Sequence, residues 1–245
     1  MQDRKLSSEE ARMYQEQGFL VVPGLLSAAE VDRFVTYEAA QQRDWRNHLD
    51  NHKRDAEWKR IATHPHIAGV AGQILGAPPL IVQTMYLEKH AGEEAKGTAP
   101  HQDTHYLPNE PNTLMACWLA LSDTDEENGG LCVASGSHTG GLKSTHKATS
   151  MKDHQVWETE QLLRDRSGKE WTERFYSFEI DGLDRSQLKF LAVPKGGGVF
   201  FSGMTIHGSY ANRSRDRVRR AFATHFVAEG TWVLRADVQA TVPAF

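Results

Sequence analysis

A chain of 245 residues, 39% of them hydrophobic, has enough length and apolar content to fill a core, which excludes an intrinsically disordered protein. Its formal net charge of −4 lacks the basic excess carried by nucleic-acid binders. Its two cysteines, Cys117 and Cys132, lie in apolar runs and read as small buried hydrophobes in a reducing compartment, not as a disulfide framework.

The chain opens on Met1-Gln2-Asp3-Arg4-Lys5, which is charged and leads into a polar helical pattern. With no apolar leader and no apolar run of about 18 residues, neither a signal peptide nor a membrane span is expected, and a cytoplasmic protein follows. Ser7-Ser8-Glu9-Glu10 has the form of a capping box, predicting a helix that stops near Gly18. Phe19-Leu20-Val21-Val22 predicts a short strand closed by Pro23-Gly24. Ser27-Ala28-Ala29-Glu30 repeats the capping box, and Val31, Phe34 and Val35 form an apolar helical face behind it. A third helix is predicted from about Ile61 to Leu75, stopping at Gly76.

From Leu80 onward the pattern is β. Strands are predicted at Ile81–Leu87, Thr113–Leu121, Gly130–Ala134, Leu188–Val193, Gly198–Phe201 and Val218–Val227, separated by Gly, Pro, Asn and Asp clusters. The expectation is one domain over 1–245, mainly β with flanking α. Residues 1–78 would be mainly helical and packed on a double-stranded β-helix (a cupin-like jelly roll) over 79–245. A polar stretch at about 139–187, carrying Trp157, Trp171, Phe175, Tyr176 and Phe178, interrupts that core. Its length suits a lid or binding loop, or a partly helical surface excursion; both readings stay open.

The chemistry concentrates in Pro100-His101-Gln102-Asp103-Thr104-His105-Tyr106. In an extended segment His101 and Asp103 would point to one face. A third ligand would complete a two-histidine, one-carboxylate facial triad, the arrangement associated with non-haem Fe(II) oxygenases. Such a triad leaves room for a bidentate 2-oxo acid and for dioxygen. His-x-Asp alone is a weak signal, because a lone strand histidine is more often a hydrogen-bonded core residue. The second half is Val199–Phe201, a glycine turn at Gly203 and then His207-Gly208-Ser209, which a double-stranded β-helix would bring to the same open end. On the next strand Arg219, Ala221, Ala223 and His225 share a face. An inward Arg219 beside small alanines could hold the remote carboxylate of 2-oxoglutarate.

These pieces resemble the phytanoyl-CoA dioxygenase (PhyH) family of 2-oxoglutarate oxygenases. The resemblance rests on His101-Gln102-Asp103-Thr104-His105-Tyr106, Cys117-Trp118-Leu119-Ala120-Leu121, Asn128-Gly129-Gly130-Leu131, Ser135-Gly136-Ser137-His138, and His207-Gly208-Ser209 through Asn212 to Arg219-Arg220-Ala221. It implies a dioxygenase that takes Fe(II), 2-oxoglutarate and dioxygen, oxidises a small molecule, and releases succinate and CO2. It further implies His101, Asp103 and His207 as iron ligands and Arg219 as cosubstrate anchor, with Met85 and Trp118 lining that pocket and Ser209 touching the carboxylate. The loop from Asn212 to Arg219 is one residue longer than the family pattern, which makes Arg217 a second candidate anchor. Ser135 replaces the family's usual proline, a change in a turn. Related halogenases lack the carboxylate ligand, so Asp103 implies hydroxylation. No stretch reads as an acyl-CoA site, and neither nucleic acid nor membrane is implied as a partner.

Plainer readings stand beside these. His105 suits a surface position as well as a substrate-facing one, His138 suits a structural turn, and His225 suits a hydrogen-bonded core histidine. Most of the arginines from Arg213 to Arg220 suit a solvated face, and Trp118 suits the core. A divalent-metal hydrolase using the same triad, or a silent β-roll that binds a small molecule or metal, are the alternatives from other classes.

Overall fold

The computed structural model describes residues 4–41, 49–91, 96–148 and 154–245. The charged opening at 1–3 and part of the interrupting stretch, 149–153, fall outside them.

Both capping boxes form. Ser7 accepts from the Glu10 amide while the Glu10 carboxylate accepts from the Ser7 amide, starting the helix Ser8–Gln17; Ser27 and Glu30 do the same for Ala28–Ala40. Gly18 ends the first helix in the left-handed region, with φ 78°, where a side chain would be strained and a Cβ would sit 2.3 Å from His138 Nδ1. The predicted third helix is two helices, Ala56–Ala62 and Pro65–Leu75. Pro65 has no amide hydrogen to continue the first, but sits well in the opening turn of the second. Among the described residues no helix is long and apolar enough to cross a membrane.

Two antiparallel sheets form a roll, as expected for a mainly β chain. The larger runs in the order Phe19–Val22, Gly198–Ser202, Met115–Ala120, Arg219–Ala228, Pro79–Lys89 and Val242–Pro243. The smaller runs Leu188–Phe190, Leu131–Ala134, His207–Ser209 and Thr98–His101. Met115–Ala120 is buried on both faces, with the period of two that a strand dictates. Met115, Cys117 and Leu119 pack with the helices, in a cluster containing Phe34, Trp58, Ile61 and Phe222. Ala116, Trp118 and Ala120 pack toward the second sheet, with Leu131, Val133, Val199 and Phe201. On the helix side Trp58 and Phe222 meet edge-on with ring centroids 5.1 Å apart, and Phe34 lies 5.4 Å from Phe222. Such pairs add about 0.5–1.5 kcal/mol each beyond the area they bury. The helical layer thus closes one side of the larger sheet and leaves the gap between the sheets for chemistry.

Among its described residues the interrupting stretch is mainly β, with short 3-10 turns at Ser137–Gly140 and Arg185–Gln187 and no α-helix. Glu158–Arg164 and Glu170–Tyr176 form a hairpin, and Phe178–Ile180 pairs with Thr145–Lys147. Its charged, largely exposed strands lack the 3.6-residue apolar stripe a packed helix needs.

Candidate active site

His101 and His207 are direct cross-strand partners on neighbouring antiparallel strands of the smaller sheet. Pairing of that kind sets two side chains beside each other on one face, and the two imidazole centroids are 4.4 Å apart. Gly208 permits the close approach of these strands: a Cβ there would lie 2.9 Å from the Thr98 carbonyl oxygen. Asp103 arrives by a different route from the one predicted. The strand ends at His101, and Asp103 opens a short 3-10 turn, Asp103–His105. The turn, not strand alternation, swings its carboxylate back toward the two rings. Gln102 between them is fully buried; its side-chain amide donates to the carbonyls of Met204 and Gly141, and its oxygen accepts from the Lys143 amide. That tie holds the turn against the loop preceding His207.

The donor set is arranged for a cation. His101 Nδ1 lies 2.7 Å from the Ala99 carbonyl and His207 Nδ1 lies 3.0 Å from the Thr205 carbonyl. A carbonyl can only accept, so each ring carries its proton on Nδ1 and turns a bare Nε2 lone pair inward. Those Nε2 atoms lie 3.3 and 3.6 Å from Asp103 Oδ1. Three proton-free donors within 4.8 Å of one another repel unless a positive ion sits among them. All three residues are buried. Burial opposes charge on Asp103, yet the imidazole rings packed around it and the hydrogen bond that His225 donates hold its carboxyl well below the usual range. Burial pushes His207 down to about 4, which keeps it neutral and able to ligate near neutral pH.

His225 is a buried hydrogen-bonded histidine, and its partner is Asp103: Nε2 lies 3.0 Å from Oδ2. Gln83 Nε2 lies 3.3 Å from His225 Nδ1, so the Gln83 amide donates there and leaves the imidazole proton on Nε2 for the carboxylate. With Oδ2 held this way, Oδ1 alone faces the histidines. His225→Ala is expected to weaken divalent-metal affinity by about 10- to 100-fold, the usual cost of losing a partner that orients a ligand. Competition with a chelator measures it; unchanged affinity would show that Asp103 needs no such support.

A cavity of about 290 Å³ opens from these three residues and is lined also by Met85, Lys89, Trp118, Ser209, Arg219 and Ala223. A larger depression of about 610 Å³ lies elsewhere, between the first helix and residues 112–115, and contains none of the triad. Arg219 is 3% exposed, and its guanidinium carbon stands 5.9 Å from the centroid of the Trp118 ring. Ser209 Oγ accepts from Lys89 Nζ at 2.8 Å and from the Thr98 amide at 3.3 Å, which leaves its hydroxyl proton free to donate. Arg217 faces the other way, in a two-pronged pair with Asp125 at 2.7 and 3.0 Å and a further bond to Glu127. His138 bonds the Gln15 carbonyl and belongs to the fold. His105 is partly buried, bonded to the Lys143 carbonyl at 3.1 Å and stacked near Phe178 at 5.0 Å, so it is no plain surface histidine.

Sequence reasoning left out Lys89, Gln83 and Gln102. No signal in the sequence marked any of the three; Lys89 is set opposite Arg219 by strand register alone. Beyond the triad, an aromatic ledge leads outward. The Tyr106 ring lies 5.4 Å from His101, 5.4 Å from Trp157 and 4.9 Å from Phe178. Trp157 and Phe178 come from the stretch that interrupts the core.

Comparison with known proteins gives consistent matches. The sequence matches the family described as Phytanoyl-CoA dioxygenase (PhyH) over residues 14–221. It is 27% identical to the peroxisomal phytanoyl-CoA dioxygenase of Bos taurus, over 90% of this chain and 68% of the relative. It is 30% identical to phytanoyl-CoA dioxygenase domain-containing protein 1 of Danio rerio, over 78% of this chain and 60% of the relative. In fold it is similar to the epimerase SnoN, solved with Fe3+, alpha ketoglutarate and nogalamycin RO, at a TM-score of 0.70 and 21% identity, covering 94% of this chain and 86% of that one. It is likewise similar to EvdO2 from Micromonospora carbonacea, solved with 2-oxoglutarate, at a TM-score of 0.68 and 18% identity, covering 93% of both chains.

Proposed function

We infer, from the premise that this chain belongs to the phytanoyl-CoA dioxygenase family, that His101, Asp103 and His207 hold the iron of a 2-oxoglutarate-dependent dioxygenase. The enzyme oxidises an unactivated C–H bond of a small molecule, consuming dioxygen and releasing succinate and CO2. The observation that carries the ligand assignment is the convergence of two bare imidazole nitrogens and one carboxylate oxygen on a single point.

Iron(II) chelated by the 2-oxo acid supplies, when bound, the activation of dioxygen that an unreactive C–H bond demands. The chain's own residues do the rest. The Ala99 and Thr205 carbonyls fix the histidine tautomers, and the Gln83–His225 relay fixes Asp103. Arg219 and the Ser209 hydroxyl take the remote carboxylate of the cosubstrate, and the small side chain of Ala223 on the cavity wall leaves space for it. The Phe201 ring, 4.3 Å from His207, screens the site from water. The substrate is presented over the ledge of Tyr106, Trp157 and Phe178, a surface suited to an apolar or flat molecule.

We take residues 1–245 to act as one domain. A cytoplasmic location stays part of this proposal, although the Bos taurus relative is named peroxisomal.

The test is spectroscopic. Under anaerobic conditions Fe(II) and 2-oxoglutarate together should give a weak visible charge-transfer band, absent with Zn(II) or with either component alone. A protein that shows no band but hydrolyses esters or phosphates with Zn(II) is a metal hydrolase instead.

A further inference from the structure

Gln83 and Met85 lie two residues apart on the Pro79–Lys89 strand, so their side chains share its inner face. Across the sheet Gln83 stands opposite His225 and Met85 opposite Ala223. Met85 is thus one cross-strand pair away from the histidine that bonds Asp103. Among the described residues that line the cavity holding the triad, Met85 alone carries sulfur. It is partly buried, packed against the cluster that contains Trp118 and Phe201. Gln83 is buried and serves both neighbours from one nitrogen: Nε2 lies 3.3 Å from His225 Nδ1 and 3.8 Å from Met85 Sδ. Its Oε1 has no partner among the described residues, so no further bond there fixes the orientation of the amide.

A thioether is a weak hydrogen-bond acceptor that oxidises readily. As a sulfoxide it becomes polar and presents an oxygen that accepts strongly. The two hydrogens on Gln83 Nε2 are fixed in one plane, so an amide that turns one toward the new oxygen draws the other away from His225 Nδ1. That second contact is already long. Its loss frees the tautomer of His225 and, with it, Oδ2 of Asp103. We propose that Met85 is a self-modification site: when 2-oxoglutarate is oxidised with no prime substrate in place, the thioether becomes methionine sulfoxide, pulls Gln83 off His225 and shuts the enzyme off by loosening the metal carboxylate. The inference rests on the 2-oxoglutarate reading above. The step balances. The O–O bond of dioxygen breaks; one atom forms the S=O bond, and the other enters succinate as CO2 leaves. Sulfur and the 2-oxo acid each give up two electrons, dioxygen takes all four, and no proton is gained or lost. Enzymatic reduction of the sulfoxide would reset the site.

Peptide mass spectrometry of the full chain tests this. The protein is incubated with Fe(II), 2-oxoglutarate, catalase and isotopically labelled dioxygen, without prime substrate. One labelled oxygen atom is expected on Met85, accumulating as the rate of succinate formation falls, and absent when 2-oxoglutarate is left out. Label on other residues with Met85 unmodified overturns the proposal; so does Met85 oxidation that needs no 2-oxoglutarate. Stripped of iron, the oxidised protein should bind a divalent metal about 10- to 100-fold more weakly than untreated protein in competition with a chelator, as for a lost partner that orients a ligand. Equal affinity overturns the shut-off. Met85→Leu, of nearly the same volume, should hold its own starting rate over the interval in which the wild type loses half of its rate; decay as fast as the wild type also overturns the proposal. The wild-type peptide map decides alone should that variant not fold. A wild type that shows the anaerobic charge-transfer band but leaves Met85 unlabelled sinks only this inference, whereas one that shows no band sinks the functional reading itself.

Discussion

His101→Ala is expected to bring succinate formation from 2-oxoglutarate, Fe(II) and dioxygen down to the background of free iron. Losing a partner that only orients a ligand already costs about 10- to 100-fold, so removing a ligand outright should cost more than about 100-fold. The loss should follow the metal, not the fold. In the wild type His101 Nε2 faces a buried carboxylate 3.3 Å away, and in the absence of an ion that ring relieves little repulsion. The ligand-free variant should therefore melt near the wild-type temperature, while the upward shift on adding Fe(II), present in the wild type, disappears. Turnover unaffected by the substitution would remove the iron assignment.

The second large effect belongs to Arg219, and its two readouts move in opposite directions. Arg219→Met should raise the KM for 2-oxoglutarate by about 30-fold or more, since one partner of a buried charged contact is worth about 2–5 kcal/mol when truncated. The same change removes a buried guanidinium whose Nε has no partner, so the ligand-free protein should become no less stable and gain if anything. Arg217→Met is the control. Its partners Asp125 and Glu127 lie on the half-exposed outside of the roll, where an ion pair contributes about 0–1 kcal/mol. It should leave the KM alone. Should Arg217→Met, and not Arg219→Met, raise the KM, the anchor would have to be reassigned across the extra residue of the 212–219 loop.

What could be read from the sequence was what short stretches decide for themselves. Ser7, Glu10, Ser27 and Glu30 cap helices through bonds that span three residues, and Gly18 stops a helix through its own backbone. The candidate ligands His101, Asp103 and His207 were also visible, through the resemblance to the family pattern and not through the weak His-x-Asp spacing alone. Their geometry was not. The expectation that His101 and Asp103 share a strand face failed because the strand ends at His101, and no local signal marks where pairing with His207–Ser209 gives out. His225 could be placed on the right face by alternation, but its bond to Asp103 joins residues brought together only by the roll. Lys89 looked like an ordinary strand-end lysine until register set it opposite Arg219. The helix from 61 to 75 was overdrawn because apolar periodicity runs smoothly through Pro65, although the backbone cannot.

The Met115–Ala120 strand, sealed by helices behind and by the second sheet in front, has a consequence for how such a protein can diversify. Because Cys117 and Leu119 answer to one neighbour and Trp118 and Ala120 to another, a change of bulk at any of these positions presses on a wall with nowhere to yield. Novelty is therefore channelled to the rim, where the added hairpin and its aromatic rings can be lengthened, reshaped or swapped without disturbing the hearth beneath. A lineage built on this plan can change what it burns while keeping the same fireplace.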